Sequence, residues 1–292
     1  MPCSYISYKL CMNGETILIE ICRISNLTMK TLSLILKGTL CSLFLVISNP
    51  SQSQSTLIDS LENELELYTQ RDSVKVNLLN KIAYETRYFG IDKTTLYLDS
   101  AISISNQIGY DKGLVLGHYY YGLTFSLRSN YDDALSCYDD ALKLAESKAG
   151  LSKTIAAIYD GKGSVYLRTG DHNQAIESFE QALDINKKNN NPNDIISNLN
   201  HIAVAYLQQG EYDKGKEFLN KALKISVELN NIPKQISILS NLGNICAVQY
   251  NYQLAIEYYF KSMSLSESLP EPNIRFETLM KNNLGGIYMD QE

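Results

Sequence analysis

A repeating unit of about forty residues dominates the chain. An alanine preceded by an aromatic or aliphatic side chain recurs in DDALSCYDDALKLA (132–145), NQAIESFEQALDIN (173–186) and DKGKEFLNKALKIS (213–226), and again in QLAIEYYFKSMSLS (253–266). The divergent DKTTLYLDSAISIS (92–105) falls in the same register. Ala101, Ala141, Ala182, Ala222 and Ser262 mark one position in each unit, at spacings of 40, 41, 40 and 40. Periods of this size are the signature of arrays in which each unit packs only on its neighbours.

Ahead of each of these segments lies a second pattern, with a small residue three before an aromatic: Gly122-Phe125, Gly163-Tyr166, Ala203-Tyr206 and Gly285-Tyr288, with Gly243-Cys246 as a variant. Apolar residues return at three- and four-residue steps in both halves, so each unit is expected to be a pair of amphipathic helices. Turn residues separate them: SNYDD, TGDHN, QGEYD and QYNYQ within units, and Gly109, Gly150, Pro192, Pro233, Pro270 and Pro272 between them. Antiparallel helices 8 to 10 Å apart leave no room for a large side chain where they cross. A Gly or Ala is therefore expected at each crossing, with an aromatic from the partner helix filling the neighbouring hole.

These residues resemble the tetratricopeptide repeat. Its order of Leu-Gly, Tyr, turn Gly, Ala, aromatic and Ala is met by Gly163, Tyr166, Gly170, Ala175, Phe179 and Ala182, and by Leu242, Gly243, Ala255 and Tyr259. The departures are the lack of a Trp-like residue, Thr94 where Ala is expected, and a period of 40 where 34 is usual; the longer period is similar to the kinesin light chain and bacterial peptide-sensor branches. The resemblance implies an all-α, right-handed superhelix of antiparallel helix pairs. Residues 71–292 would hold five pairs and one unpaired helix, and residues 56–70 a leading helix.

Residues 1–55 differ in character. From Met29 the chain reads MKTLSLILKGTLCSLFLVISNPSQSQS, with Lys30 near the start, an apolar stretch Leu40–Ile47 and small residues Ser51, Ser53 and Ser55. This is the layout of a signal peptide, with Met29 as the start and cleavage near Ser53 or Ser55. The other reading is an uncleaved anchor, against which Lys37 leaves fewer uninterrupted apolar residues than the ~20 that cross a bilayer. An exported, periplasmic or envelope-associated protein is expected. Without residues 1–55 the net charge moves from -6 to -8 and only Cys137 and Cys246 remain of six Cys. In a stacked array those two lie too far apart to bridge, so buried free thiols are expected.

An acidic chain without clustered Lys and Arg is not built to neutralise phosphates, so no nucleic-acid partner is expected. His118, His172 and His201 fall in three different units and show no metal-ligand spacing; no phosphate loop or nucleophile elbow appears. No catalytic residue, metal or cofactor is expected. The Tyr residues at 131, 138, 166, 206, 212, 252 and 259 occupy packing slots.

The resemblance places a peptide-binding groove on the concave face lined by the first helices. That face would present Asn80, Tyr84 and Arg87 from the first unit and Tyr119 and Leu123 from the second. Asp160, Ser164 and Arg168 would follow, then Asn200, Val204 and Gln208, then Asn241 and Asn244. In long-repeat relatives an Asn-Asn-Leu stretch grips a bound backbone, which the resemblance extends to Asn200-His201, Ser240-Asn241-Leu242 and Asn282-Asn283-Leu284. An amide can pair with a peptide bond whatever the side chain; equally, exposed Asn keeps a helix face soluble. With only Arg87 and Arg168 basic, a carboxylate-holding basic clamp is not expected. The expected function is a noncatalytic scaffold that binds a protein or peptide segment. The competing class is the sensory half of a longer signalling protein with a histidine kinase or regulator output, since the last helix carries an apolar face and no partner helix follows. A membrane partner enters only if the leader is uncleaved or the chain continues.

Overall fold

The computed structural model describes residues 5–12, 15–22, 50–145, 148–270 and 274–290. It divides into two compact units, Met1–Asp59 and Ser60–Glu292. In the first, β1 (Tyr5–Met12) and β2 (Glu15–Cys22) pair antiparallel, with Ile6 opposite Ile21 and Leu10 opposite Ile17. Reading residues 1–55 only as a leader missed this hairpin. Its signal was present, because two alternating runs flank Asn13-Gly14, the dipeptide most favoured in two-residue hairpin turns. Of the proposed signal peptide, from Met29 to Ser53 or Ser55, residues 29–49 lie outside the described residues, while Ser53 and Ser55 fall in the helix Pro50–Leu67. Among the described residues no helix is long and apolar enough to cross a membrane.

All other described elements are helices. After α1 (Pro50–Leu67) come five antiparallel pairs: α2 (Ser73–Thr86) with α3 (Ile91–Ile108), α4 (Asp111–Leu127) with α5 (Tyr131–Ala145), α6 (Ser152–Thr169) with α7 (His172–Lys188), α8 (Pro192–Gln208) with α9 (Tyr212–Glu228), and α10 (Ile232–Val248) with α11 (Tyr252–Glu267). Helix α12 (Ile274–Asp290) follows and packs on α11. Each second helix also packs on the first helix of the next pair, and the first helices of consecutive pairs touch each other.

From the second pair onward the chain reverses by one device within each pair. A residue in the left-handed region ends the first helix, at Ser129, Gly170, Gly210 and Tyr250, and the next amide bonds back to the helix, as Asp171 N does to Tyr166 O (2.9 Å). Gly109, Asn190 and Asn230 do the same between pairs, and Gly150 is also left-handed. The prolines expected there play another part: Pro192 and Pro233 stand at the first positions of α8 and α10, where a missing N–H costs nothing.

The helix crossings set the packing. A Cβ built on Gly122 would come 2.3 Å from the Tyr138 ring, one on Gly163 2.6 Å from Phe179, and one on Gly243 2.5 Å from Tyr259. These three rings are almost wholly buried, as are Ala101, Ala141, Ala182, Ala222 and Ser262. Thr94 keeps the place of the sister alanines by satisfying its hydroxyl internally, against Gly90 O (2.8 Å) and Thr86 Oγ1 (3.1 Å). Ser262 does so against Ser240 Oγ (3.1 Å). On α12 a Cβ on Gly285 meets nothing within 4 Å among the described residues.

Candidate functional site: the first-helix face

The polar side chains of the first helices are tied mainly to one another. Asn241 on α10 donates to Asn200 Oδ1 on α8 (2.9 Å), and Asn283 on α12 donates to Asn244 Oδ1 on α10 (3.2 Å), which also accepts from the Tyr259 hydroxyl (2.8 Å). Asp160 on α6 accepts from Asn198 Nδ2 (2.8 Å) and pairs with His201 Nδ1 (2.9 Å), both on α8. Asn198 in turn accepts from Asn186 at the end of α7 (2.8 Å). The partners lie 38 to 41 residues apart along the first helices, so the ladder follows the period of the array.

Crevices open between the rungs, one of them polar and another apolar. The polar one, of about 260 Å³, is lined by Tyr119, Asp160, Asn198, His201, Lys153 and Lys234 over a floor of Ala156 and Ala157. Sister units carry Val115, Ile196 and Ile236 where this one has Ala156, which creates the space. Ser197 spends its hydroxyl proton on Asn193 O (3.0 Å) and accepts from Lys234 Nζ (2.6 Å), so it is a structural tie and not a nucleophile. The apolar crevice, of about 370 Å³, lies between α10 and α12. Ile236, Leu269, Phe276, Leu279 and Met280 line it, with Ser237, Ser240, Asn241, Asn244 and Ser266 as its polar groups. An apolar cleft with a few converging amides is the usual form of a binding site.

At the front of the array, the Arg87 guanidinium stacks 3.5 Å from the Tyr84 ring centre and 4.3 Å from that of Tyr88, and it also bonds Tyr84 O. Tyr84 leans on Tyr120 (5.3 Å), Tyr120 on Tyr119 (5.3 Å) and Tyr119 on Tyr138 (6.2 Å). Burial pushes the Tyr119, Tyr120 and Tyr138 hydroxyls above their ordinary pKa. Arg87 is thereby committed to its own aromatic neighbours.

Of the residues expected to form the groove, Asp160, Tyr119, Asn241 and Asn244 line the two crevices, and Asn200 supports them through Asn241. Asn80 is a correction. It is 2% exposed, and its amide donates to Gly113 O (3.3 Å) across the α2–α4 contact, so it is an interior tie unavailable to a ligand. Leu123 packs into the core of the second unit. Arg168 and Gln208 are exposed and Ser164 and Val204 half-buried near the ends of α6 and α8, away from both crevices. Cys137 is half-buried, not buried, and burial with nearby Asp140 and Asp133 pushes its thiol up to about 11; Cys246 is buried. Asn186 and Asn198 were not foreseen. Their signal was a break in the repeat, since the sister positions hold Ser105, Ala145, Ser226 and Ser266 for the first and Ile158 and Ile238 for the second. Among the described residues no group of three His, Cys, Asp or Glu is placed to hold a metal.

Stacked helix pairs with a cleft-bearing first-helix face define an α-helical repeat array. The chain belongs to the tetratricopeptide repeat family, whose profile matches residues 114–188 and 194–268. Solved structures share the fold at low identity. The BtubC (BKLC) structure from P. vanneervenii is 16% identical, with a TM-score of 0.61 over 76% of this chain and 92% of that one. A signal transduction ATPase with a tetratricopeptide repeat sensor from Pyrococcus horikoshii is 16% identical, with a TM-score of 0.67 over 82% of this chain and 37% of that one. Aspartyl phosphate phosphatase F from Bacillus subtilis is 12% identical, with a TM-score of 0.62 over 85% and 72%. No curated protein sequence matches the chain significantly.

Proposed function

We propose that the protein is a noncatalytic scaffold of the cell envelope that holds an extended peptide segment across its first-helix face, with one apolar side chain anchored between α10 and α12. The observation that carries this is the apolar crevice, whose wall of Ile236, Phe276, Leu279 and Met280 stands beside the amides of Asn241 and Asn244. An apolar anchor supplies affinity, and paired amides read a backbone without regard to side chain. The leader from Met29 supports export, and the period of forty supports membership of the long-repeat branch.

Panning a random peptide display library on the full chain tests the reading. Peptides sharing an apolar anchor should be enriched, and they should lose binding to a Leu279→Asp variant, whose 54% exposed position tolerates the change without unfolding. Binders indifferent to that change would refute the crevice as the site. Mass spectrometry of the mature N-terminus tests export, since an intact Met1 or Met29 would exclude cleavage. A second reading, the sensory part of a signalling protein, is supported by the likeness of fold to the Pyrococcus protein with a repeat sensor; reading the gene beyond Glu292 tests it.

A further inference from the structure

The polar crevice beside α6 and α8 carries chemistry that an apolar anchor does not use. Asn186 and Asn198 stand on its wall, where the adjoining units hold Ala145 and Ser226 for the first and Ile158 and Ile238 for the second. Asp160 fixes the direction of their hydrogen bonds. A carboxylate only accepts, so Asn198 turns its Nδ2 to Asp160 (2.8 Å) and its Oδ1 to Asn186, which answers with its own Nδ2 (2.8 Å). Asn186 Oδ1 is the atom left over. Asn186 is 3% exposed, and this oxygen has no donor among the described residues. A buried acceptor without a donor is costly, so a donor is what the inner wall lacks.

The opposite charge comes from the first turns of α6 and α10. Lys153 and Lys234 line the crevice from there, and neither forms an ion pair among the described residues. Lys234 donates to the Ser197 hydroxyl (2.6 Å), and Lys153 is exposed. The carboxylates of Asp160 and Asp194 balance these two cations when His201 is neutral.

We propose that the polar crevice binds a free amino acid, with its ammonium group inward at Asn186 Oδ1 and Asp160 and its carboxylate outward toward Lys153 and Lys234. A zwitterion meets both demands and leaves the charge balance intact, whereas a lone cation or anion upsets it. The volume of about 260 Å³ is smaller than pockets for drug-sized ligands, so one small molecule fills it. Ala156 supplies the room, in the place that Ile196 and Ile236 fill in the next two units.

Isothermal titration of the full chain with each standard amino acid at millimolar concentration tests this, and it needs no peptide, so it stands or falls apart from the apolar crevice. A subset of amino acids should bind. The N-acetyl and carboxamide derivatives of a binder, each lacking one charge, should bind at least about tenfold more weakly, as should the parent amino acid to Lys153→Gln. Ala156→Ile installs the side chain of the sister units and should abolish binding with unchanged helical circular dichroism. If that variant unfolds, Lys153→Gln decides, since its exposed position does not bear on the core. No binding by any amino acid, equal binding of the derivatives, or undiminished affinity in Lys153→Gln would overturn the proposal.

Discussion

Asn241 lends its amide hydrogen to Asn200, 2.9 Å away on the preceding first helix, so these two groove residues hold each other before any ligand arrives. A peptide that used both amides would have to share or replace that bond. Removing one partner from a half-buried pair costs about 0.5 to 1.5 kcal/mol. Asn241→Ala is therefore expected to lower stability by that amount in urea titration, and adding Asn200→Ala should cost less than it does alone. Strict additivity would show that the two side chains are not coupled.

The glycines on the crossing line should respond in opposite directions. Gly163→Ala places a methyl 2.6 Å from the Phe179 ring and is expected to cost about 1 to 3 kcal/mol. Gly285→Ala occupies the equivalent slot on α12 in open space, and should stabilise by up to about 1 kcal/mol through helix propensity alone. Denaturant midpoints of the two variants against the wild type decide it.

Ala182, wholly buried at the close approach of α7, admits no larger side chain. Ala182→Leu should overpack the crossing and cost about 1 to 3 kcal/mol, and an unchanged thermal melt would refute the register.

Alkaline stability follows from the buried phenols. Tyr97, held by burial and by its bond to Glu62, and Tyr259, held chiefly by burial, are pushed up from 10.0 to about 12. The unfolded chain then loses these protons at lower pH than the native one. Their contribution is complete below pH 10 and is lost as pH rises from 10 towards 12. Melting temperature should fall over that window while phenolate absorbance lags behind that of the denatured protein; coincident titration of native and denatured protein would contradict it. The Cys137 thiol, raised to about 11, should likewise resist alkylation at neutral pH until the chain is unfolded.

What could be read beforehand was whatever recurs. Periodicity placed the helix pairs, and the small residues at 122, 163 and 243 foretold that rings would fill the crossings, because both follow from packing geometry common to all units. What escaped was local. Asn80 falls on the first-helix face to which the resemblance assigns the groove, but the Gly113 carbonyl on α4 gives its amide a buried partner. That acceptor is 33 residues away and is set by how closely Gly113 lets the helices approach. The Asn186–Asn198–Asp160–His201 relay was hidden for the same reason, being written as an exception to the repeat rather than as part of it. The hairpin was overlooked because the stretch before Met29 was set aside as leader.

That relay also makes the units unequal. Elsewhere the seams rest largely on alanines, glycines and rings, with single amide ties such as Asn241–Asn200 and Asn283–Asn244. Between the third and fourth pairs, Asn186 meets Asn198, and Asp160 meets Asn198 and His201; Asp160 and His201 take the slots that Asn200 and Asn241 hold one unit on, but Asn186 and Asn198 have no amide counterpart in the adjoining copies. Duplicating or deleting a unit at this seam would strand the two buried amides of Asn186 and Asn198 and leave the half-buried Asp160 without these partners. Gene rearrangements that lengthen or shorten the array should therefore be tolerated elsewhere and selected against here, which fixes the order of the two central copies.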